Sequence, residues 1–134
     1  TGEHQIYTVR PDGTDLKGPL TTAGINLYPT WNKAADRIIF RSSRDTDVEG
    51  QSELYIMGPN GENQVRLTKT TPPVAHNNPR ISPDGSRILF GSSPDLVTGL
   101  SQDLFTIGLN GQDLRRITDY PGIETYPSWS AVEP

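Results

Sequence analysis

The sequence predicts an all-β chain assembled from a repeated four-stranded unit, and three observations predict it. The first is self-similarity at a fixed offset of 50 residues. TWNKAADRIIFRSS (30–43) falls on RISPDGSRILFGSS (80–93), and ELYIMGPNGENQVRLT (53–68) falls on DLFTIGLNGQDLRRIT (103–118), without a gap over 39 positions. The second is composition: 13 Gly and 12 Pro among 134 residues, with a hydrophobic share of 32%. That composition suits either disorder or many short strands joined by tight turns, and the ordered repeat decides for the strands. The third is the lack of sustained 3.6-residue periodicity with caps, so almost no helix is expected. Four short strands in a unit of 48–50 residues are the signature of a β-propeller blade.

The third copy shows the elements in order. Pro79 to Ser82 is short and extended and forms strand A. Ser82-Pro83-Asp84-Gly85 is turn chemistry, with proline presetting φ and glycine taking the position of positive φ. Arg87-Ile88-Leu89-Phe90 is a β-favouring run, strand B, followed by about ten polar and small residues. Asp103 to Ile107 is strand C, Asn110-Gly111 is a hairpin signal, and Arg115 to Thr118 closes the unit as strand D. The second copy has Lys33-Ala34-Ala35-Asp36 in place of Pro-Asp-Gly-Ser, which predicts a looser A–B turn. QIYTVRPDGTDLKGPLT (5–21) matches the second half of a unit, and TYPSWS (125–130) matches its start. The organisation expected is a half blade of strands C and D at 1–21, blades at 22–68 and 69–118, and strand A of a following blade at 119–134. That amounts to about 2.7 blades, a partial propeller, since closed rings take roughly four to eight. Either the chain is a portion of a longer propeller, or copies associate head to tail. The cost of open strand edges favours the first.

The run Ile-Ser-Pro-Asp-Gly (81–85), Arg-Ile-Leu-Phe, Asp-Leu-Phe-Thr-Ile, Asn-Gly and Arg-Arg-Ile-Thr resembles the TolB-type, WD-repeat-like propeller repeat. Similar repeats build the propellers of the prolyl oligopeptidase family and of tricorn-type proteases. The resemblance covers nearly the whole chain. It implies a non-enzymatic scaffold that binds a protein or peptide, in the envelope of a bacterium, periplasmic or extracellular. Two alternatives stay open: the gating propeller of a prolyl-oligopeptidase-type serine peptidase whose catalytic domain is absent here, and a propeller-type lyase or glycan-active enzyme.

Loop lengths place the binding face. A–B and C–D turns are tight, whereas B–C connections (43–52 and 93–102) and D–A connections (22–27, 69–77 and 119–125) are long. In an antiparallel blade those long connections share one face, and binding residues concentrate in loops on a rigid scaffold. Strand A is innermost, so Tyr28, Asn78 and Tyr126 at its start ring the central channel, with His76 and Asn77 just outside. They are the candidate binding residues, read against ordinary packing of tyrosine on the following proline. Asp45, Asp47 and Glu49, at alternate positions before Gly50, resemble the start of a calcium loop. The twelfth position is Ile56 and not glutamate, so a solvated acidic loop is the plainer reading. Trp31 and Trp129 share a place in strand A and read as core between blades. Arg37 and Arg87 read as structural, and Arg115-Arg116 as exposed outer strand.

Exclusions follow from composition. A formal charge of −4 argues against a nucleic-acid partner. The chain has no cysteine, so no disulfide, thiolate site or cysteine nucleophile is expected. No apolar run approaches the ~20 residues that cross a bilayer, and TGEHQIY lacks a signal-peptide pattern. There is no Gly-x-Ser-x-Gly elbow, phosphate-cradling loop or His-Glu-x-x-His. His4 and His76 lie in different repeats, and no feature selects a serine to join His76.

Overall fold

In the computed structural model of the chain, residues 4–94, 96 and 101–130 are described. They hold two four-stranded antiparallel sheets and no helix. The first sheet is β1 (Asn26–Trp31), β2 (Ile38–Ser42), β3 (Glu53–Met57) and β4 (Val65–Arg66). The second is β5 (Ala75–Ile81), β6 (Arg87–Ser93), β7 (Asp103–Gly108) and β8 (Arg115–Arg116). Chain order equals spatial order in both, as expected of propeller blades built from successive hairpins.

The inner strand begins earlier than its sequence suggests. His76 and Asn77 lie inside β5, opposite Ser92 and Gly91. A bulge between Asn77 and Arg80, repeated between Leu27 and Thr30, carries Pro79 and Pro29 past the ladder. Proline has no N–H to donate, so a bulge is where a strand tolerates it.

The two A–B turns have the same geometry, which corrects the expectation of a looser turn in the first blade. Gly85 N–H donates to the Ser82 carbonyl at 2.9 Å, and Ala35 N–H to the Asn32 carbonyl at 3.0 Å. Ser82 Oγ accepts from Arg87 N–H at 2.9 Å, and Asn32 Oδ1 does the same for Arg37 at 3.0 Å. Asn32 thus supplies what the Ser-Pro-Asp-Gly turn takes from serine, while Ala35 holds φ +55° where Gly85 holds +76°.

Apolar residues alternate between the two faces of each sheet, as period 2 requires. Ile39 and Leu54 from the first sheet meet Ile88, Phe90 and Ile107 from the second, with Leu67 beside them. The other face of the first sheet puts Ile38, Phe40, Tyr55 and Met57 against Ile6 and Leu20. Those two residues belong to a hairpin in which Thr8 and Lys17 exchange both backbone hydrogen bonds, at 3.0 and 2.8 Å. Leu20 N–H also donates to the Ile6 carbonyl at 2.7 Å, and the hairpin forms no named strand. It covers only part of the sheet, so Trp31 is 44% exposed and not the core residue expected. Trp129 is half-buried, and its indole N–H donates to the Arg80 carbonyl at 3.0 Å. Residues 119–130 form no named strand, because none of the described residues lies alongside as their antiparallel partner.

Candidate functional site

The long connections meet on one face and are stitched there. Ser52 N–H donates to the Val74 carbonyl at 3.1 Å, and Gln102 N–H to the Gly122 carbonyl at 3.2 Å. The end of each B–C connection is thereby tied to the D–A connection that leads onward. Side chains extend the tie. Arg41 Nη1 donates to Asn77 Oδ1 at 2.8 Å, Asn77 Nδ2 to Gln102 Oε1 at 3.2 Å, and Gln102 Nε2 to the Glu124 carbonyl at 2.6 Å. Both ends of the Asn77 amide are committed to this chain.

The predicted rim residues share a backbone feature that spacing could not reveal. Tyr28, Asn78 and Tyr126 have φ of +54°, +50° and +53°, in the left-handed region. For non-glycine residues this costs roughly 1–3 kcal/mol each, sustained by the surrounding bulge and the proline that follows. Their exposure differs: Tyr28 is 41% and Tyr126 75% exposed, whereas Asn78 is buried. His76 is also buried, at 3%, and does not stand outside the strand as expected. Its Nε2 lies 2.9 Å from Thr70 Oγ1 and 3.5 Å from Glu53 Oε2.

Glu53 organises that corner. Arg66 Nη2 donates to its Oε1 at 2.8 Å, Thr70 N–H to the same oxygen at 2.9 Å, and Thr68 Oγ1 to Oε2 at 2.5 Å. Burial raises its pKa, but the donors from His76, Thr68 and Thr70 outweigh burial and hold it down at about 2.

The three carboxylates of the acidic loop do not converge on one centre. Asp45 Oδ2 accepts the Tyr55 hydroxyl proton, whereas Asp47 and Glu49 line a separate hollow with Ile25 and Arg41. Among the described residues no three carboxylate or imidazole groups converge. The loop lies between strands β2 and β3 and lacks the glutamate that would complete such a cage.

A hollow of about 420 Å³ lies against the second sheet, beside the long connections. Thr70 and Val74 from the D–A connection and Pro94 and Ser101 from the B–C connection form its mouth. His76, Phe90, Ser92, Asp103, Phe105 and Arg116 form its walls. Two buried polar atoms in these walls have no hydrogen-bond partner: His76 Nδ1 and Asp103 Oδ1. An unmet buried polar atom costs roughly 1–3 kcal/mol, so each calls for a partner from water or a ligand. The other Asp103 oxygen is met by Arg116 Nη2 at 2.7 Å. Of these residues sequence reasoning found only His76. Nothing in the sequence singled out the rest, since 44–52 and 94–102 match only at Asp45 and Asp95.

No family model matches the chain, and no curated protein sequence does. Solved structures do. TolB of Acinetobacter baumannii is similar over 88% of this chain and 27% of its own, at 22% identity and a TM-score of 0.68. A TolB-assigned protein of Agrobacterium tumefaciens is similar over 84% of this chain and 40% of its own, at 20% identity and the same TM-score, 0.68. The tricorn protease is similar over 91% of this chain and 10% of its own, at 18% identity and a TM-score of 0.55. The chain thus spans less than half the length of each. These likenesses establish the fold: the chain is built of TolB-like β-propeller blades.

Proposed function

We propose that the chain belongs to a non-enzymatic propeller scaffold that holds a protein or peptide on its long-connection face, in the bacterial envelope. One observation carries the reading: the hollow against the second sheet, lined by residues of the long connections and by two unpartnered buried polar atoms. Backbone and side-chain ties cross from each blade to the next residues in line on this face. Loop faces with a few convergent polar groups suit recognition. Panning a random peptide library against the chain tests the reading. Enriched sequences should bind saturably and lose binding when Phe105→Ala or Asp103→Asn alters the hollow. Enrichment that is insensitive to every change on this face would overturn it.

A further inference from the structure

We propose that the hollow binds a guanidinium group, the arginine side chain of the peptide or protein partner; the source of that arginine rests on the scaffold reading above. The inference comes from comparing the two blades at the same place. In the first blade the corresponding space is filled from within. The Arg44 guanidinium lies 5.3 Å from the Phe40 ring centroid and 4.9 Å from that of Tyr55. Arg44 Nε donates to Ser42 Oγ at 3.0 Å, Nη2 to Asn26 Oδ1 at 3.0 Å, and Nη1 to Gln64 Oε1.

Fifty residues on, Phe90, Phe105, Ser92, His76 and Leu114 stand in place of those five contacts, and all line the hollow. The strand register confirms the match, since Asn26 opposes Ser42 as His76 opposes Ser92. The ring platform is preserved: Phe40 and Tyr55 stack at 5.7 Å and 27°, Phe90 and Phe105 at 6.1 Å and 25°. The residue that should supply the cation is Pro94, which has no charge and no donor. The second blade keeps the stacked pair, sets the His76 ring perpendicular to Phe90 at 5.0 Å and 85°, and has proline where Arg44 stands.

The chemistry of the walls selects the same ligand. His76, held at Nε2 by Thr70 Oγ1, stands in the wall with its Nδ1 unpartnered. Asp103 Oδ1 and the Ser92 hydroxyl offer acceptors beside the two stacked rings. A planar cation with several donors satisfies both features at once. An anion would meet a carboxylate and the negative faces of two rings. An apolar ligand would leave both orphaned atoms unmet. Arg116 is no obstacle, because Arg66 occupies the same place in the first blade and Arg44 sits there regardless.

Titrating Nα-acetyl-L-argininamide into the isotope-labelled chain tests this. Saturable binding should shift the Phe90 and Phe105 ring signals. The lysine counterpart should bind at least about tenfold more weakly, since it lacks the planar fork. Asp103→Asn should lose at least about tenfold, as expected when a charge-assisted bond is removed. Pro94→Arg should supply the missing group from within, abolish binding and raise the melting temperature, while Pro94→Ala keeps binding. Should Asp103→Asn fail to fold, Ser92→Val replaces it. Absence of saturable binding, equal binding of the lysine compound, or binding that survives in Pro94→Arg would overturn the proposal. The peptide library separates this from the broader reading. Arginine-bearing peptides displaced by argininamide support both. Peptides that bind the same face without arginine sink the guanidinium inference alone, and no enrichment sinks the scaffold reading with it.

Discussion

Glu53 is nearly fully buried yet ionised, because its neighbours supply donors to both oxygens. Its pKa of about 2 lies below the ordinary 4.5, so the unfolded chain takes up a proton that the folded chain refuses. The stability it contributes is complete above pH 4.5 and is lost as pH falls from there toward 2. Chemical denaturation from pH 6 down to pH 2.5 should show a loss on the order of 2 kcal/mol that Glu53→Gln removes. Gln5, which accepts from Thr21 and Asn26 in the preceding hairpin, already plays the uncharged version of this part. Ala35 makes the opposite case, a residue that is wrong for its backbone. At φ +55° an alanine carries a penalty that glycine does not, so Ala35→Gly should raise stability by about 0.5–1 kcal/mol. Arg44→Ala should cost about 2–3 kcal/mol in denaturant titrations, since it removes a stacked, hydrogen-bonded cation and leaves its acceptors unmet.

Turns and strands share the work of joining blades. Gly111 holds φ +76° in the C–D turn, and a Cβ there would stand 2.9 Å from the Leu67 carbonyl oxygen of the preceding sheet. Gly85 has the same φ of +76°, but a Cβ there would meet nothing within 4 Å. Gly85→Ala should therefore cost only the backbone term, about 1 kcal/mol, while Gly111→Ala costs more and loosens the contact between sheets. Thermal melts of the two variants compare them directly. The turns were legible in the sequence because Asn-Gly and Pro-Asp-Gly leave few backbone choices. Asn32 and Ala35 show where that legibility stops. A side-chain oxygen of asparagine replaced serine, and a non-glycine residue accepted positive φ, because strands on both sides fix where the turn must close. The strands were legible from β-branched and aromatic runs, but their inner ends were not, since Ala75-His76-Asn77 has no strand composition and pairs only because β6 lies beside it.

One apolar cluster draws residues from both sheets, so the two blades should unfold together. Phe90→Ala should cost about 3–5 kcal/mol and lower tryptophan-fluorescence and circular-dichroism transitions equally. The far face of the second sheet is different. Leu67 is 9% exposed between the blades, whereas Ile117 at the matching position is 55% exposed. That asymmetry predicts association through this face. Light scattering should give a mass above 14.7 kDa that rises with concentration and returns toward 14.7 kDa in Ile117→Lys. A constant 14.7 kDa for the unaltered chain would show that the face stays wet.

The amino-acid order alone determined the repeat, the four strands of each unit, the tight and long faces and the absence of helix among the described residues. Each of these follows from local chemistry: period-2 apolar alternation, proline and glycine at turns, and a constant offset between copies. Packing decided what occupies each place. Trp31 reads as core and is exposed, because the hairpin before it covers only part of its sheet. Asp45, Asp47 and Glu49 read as one cluster and are separated, because Tyr55 claims Asp45. The hollow beside His76 exists because Pro94 cannot reach where Arg44 does. A vacancy of that kind is a relation among residues far apart along the chain, and only their assembly in space creates it.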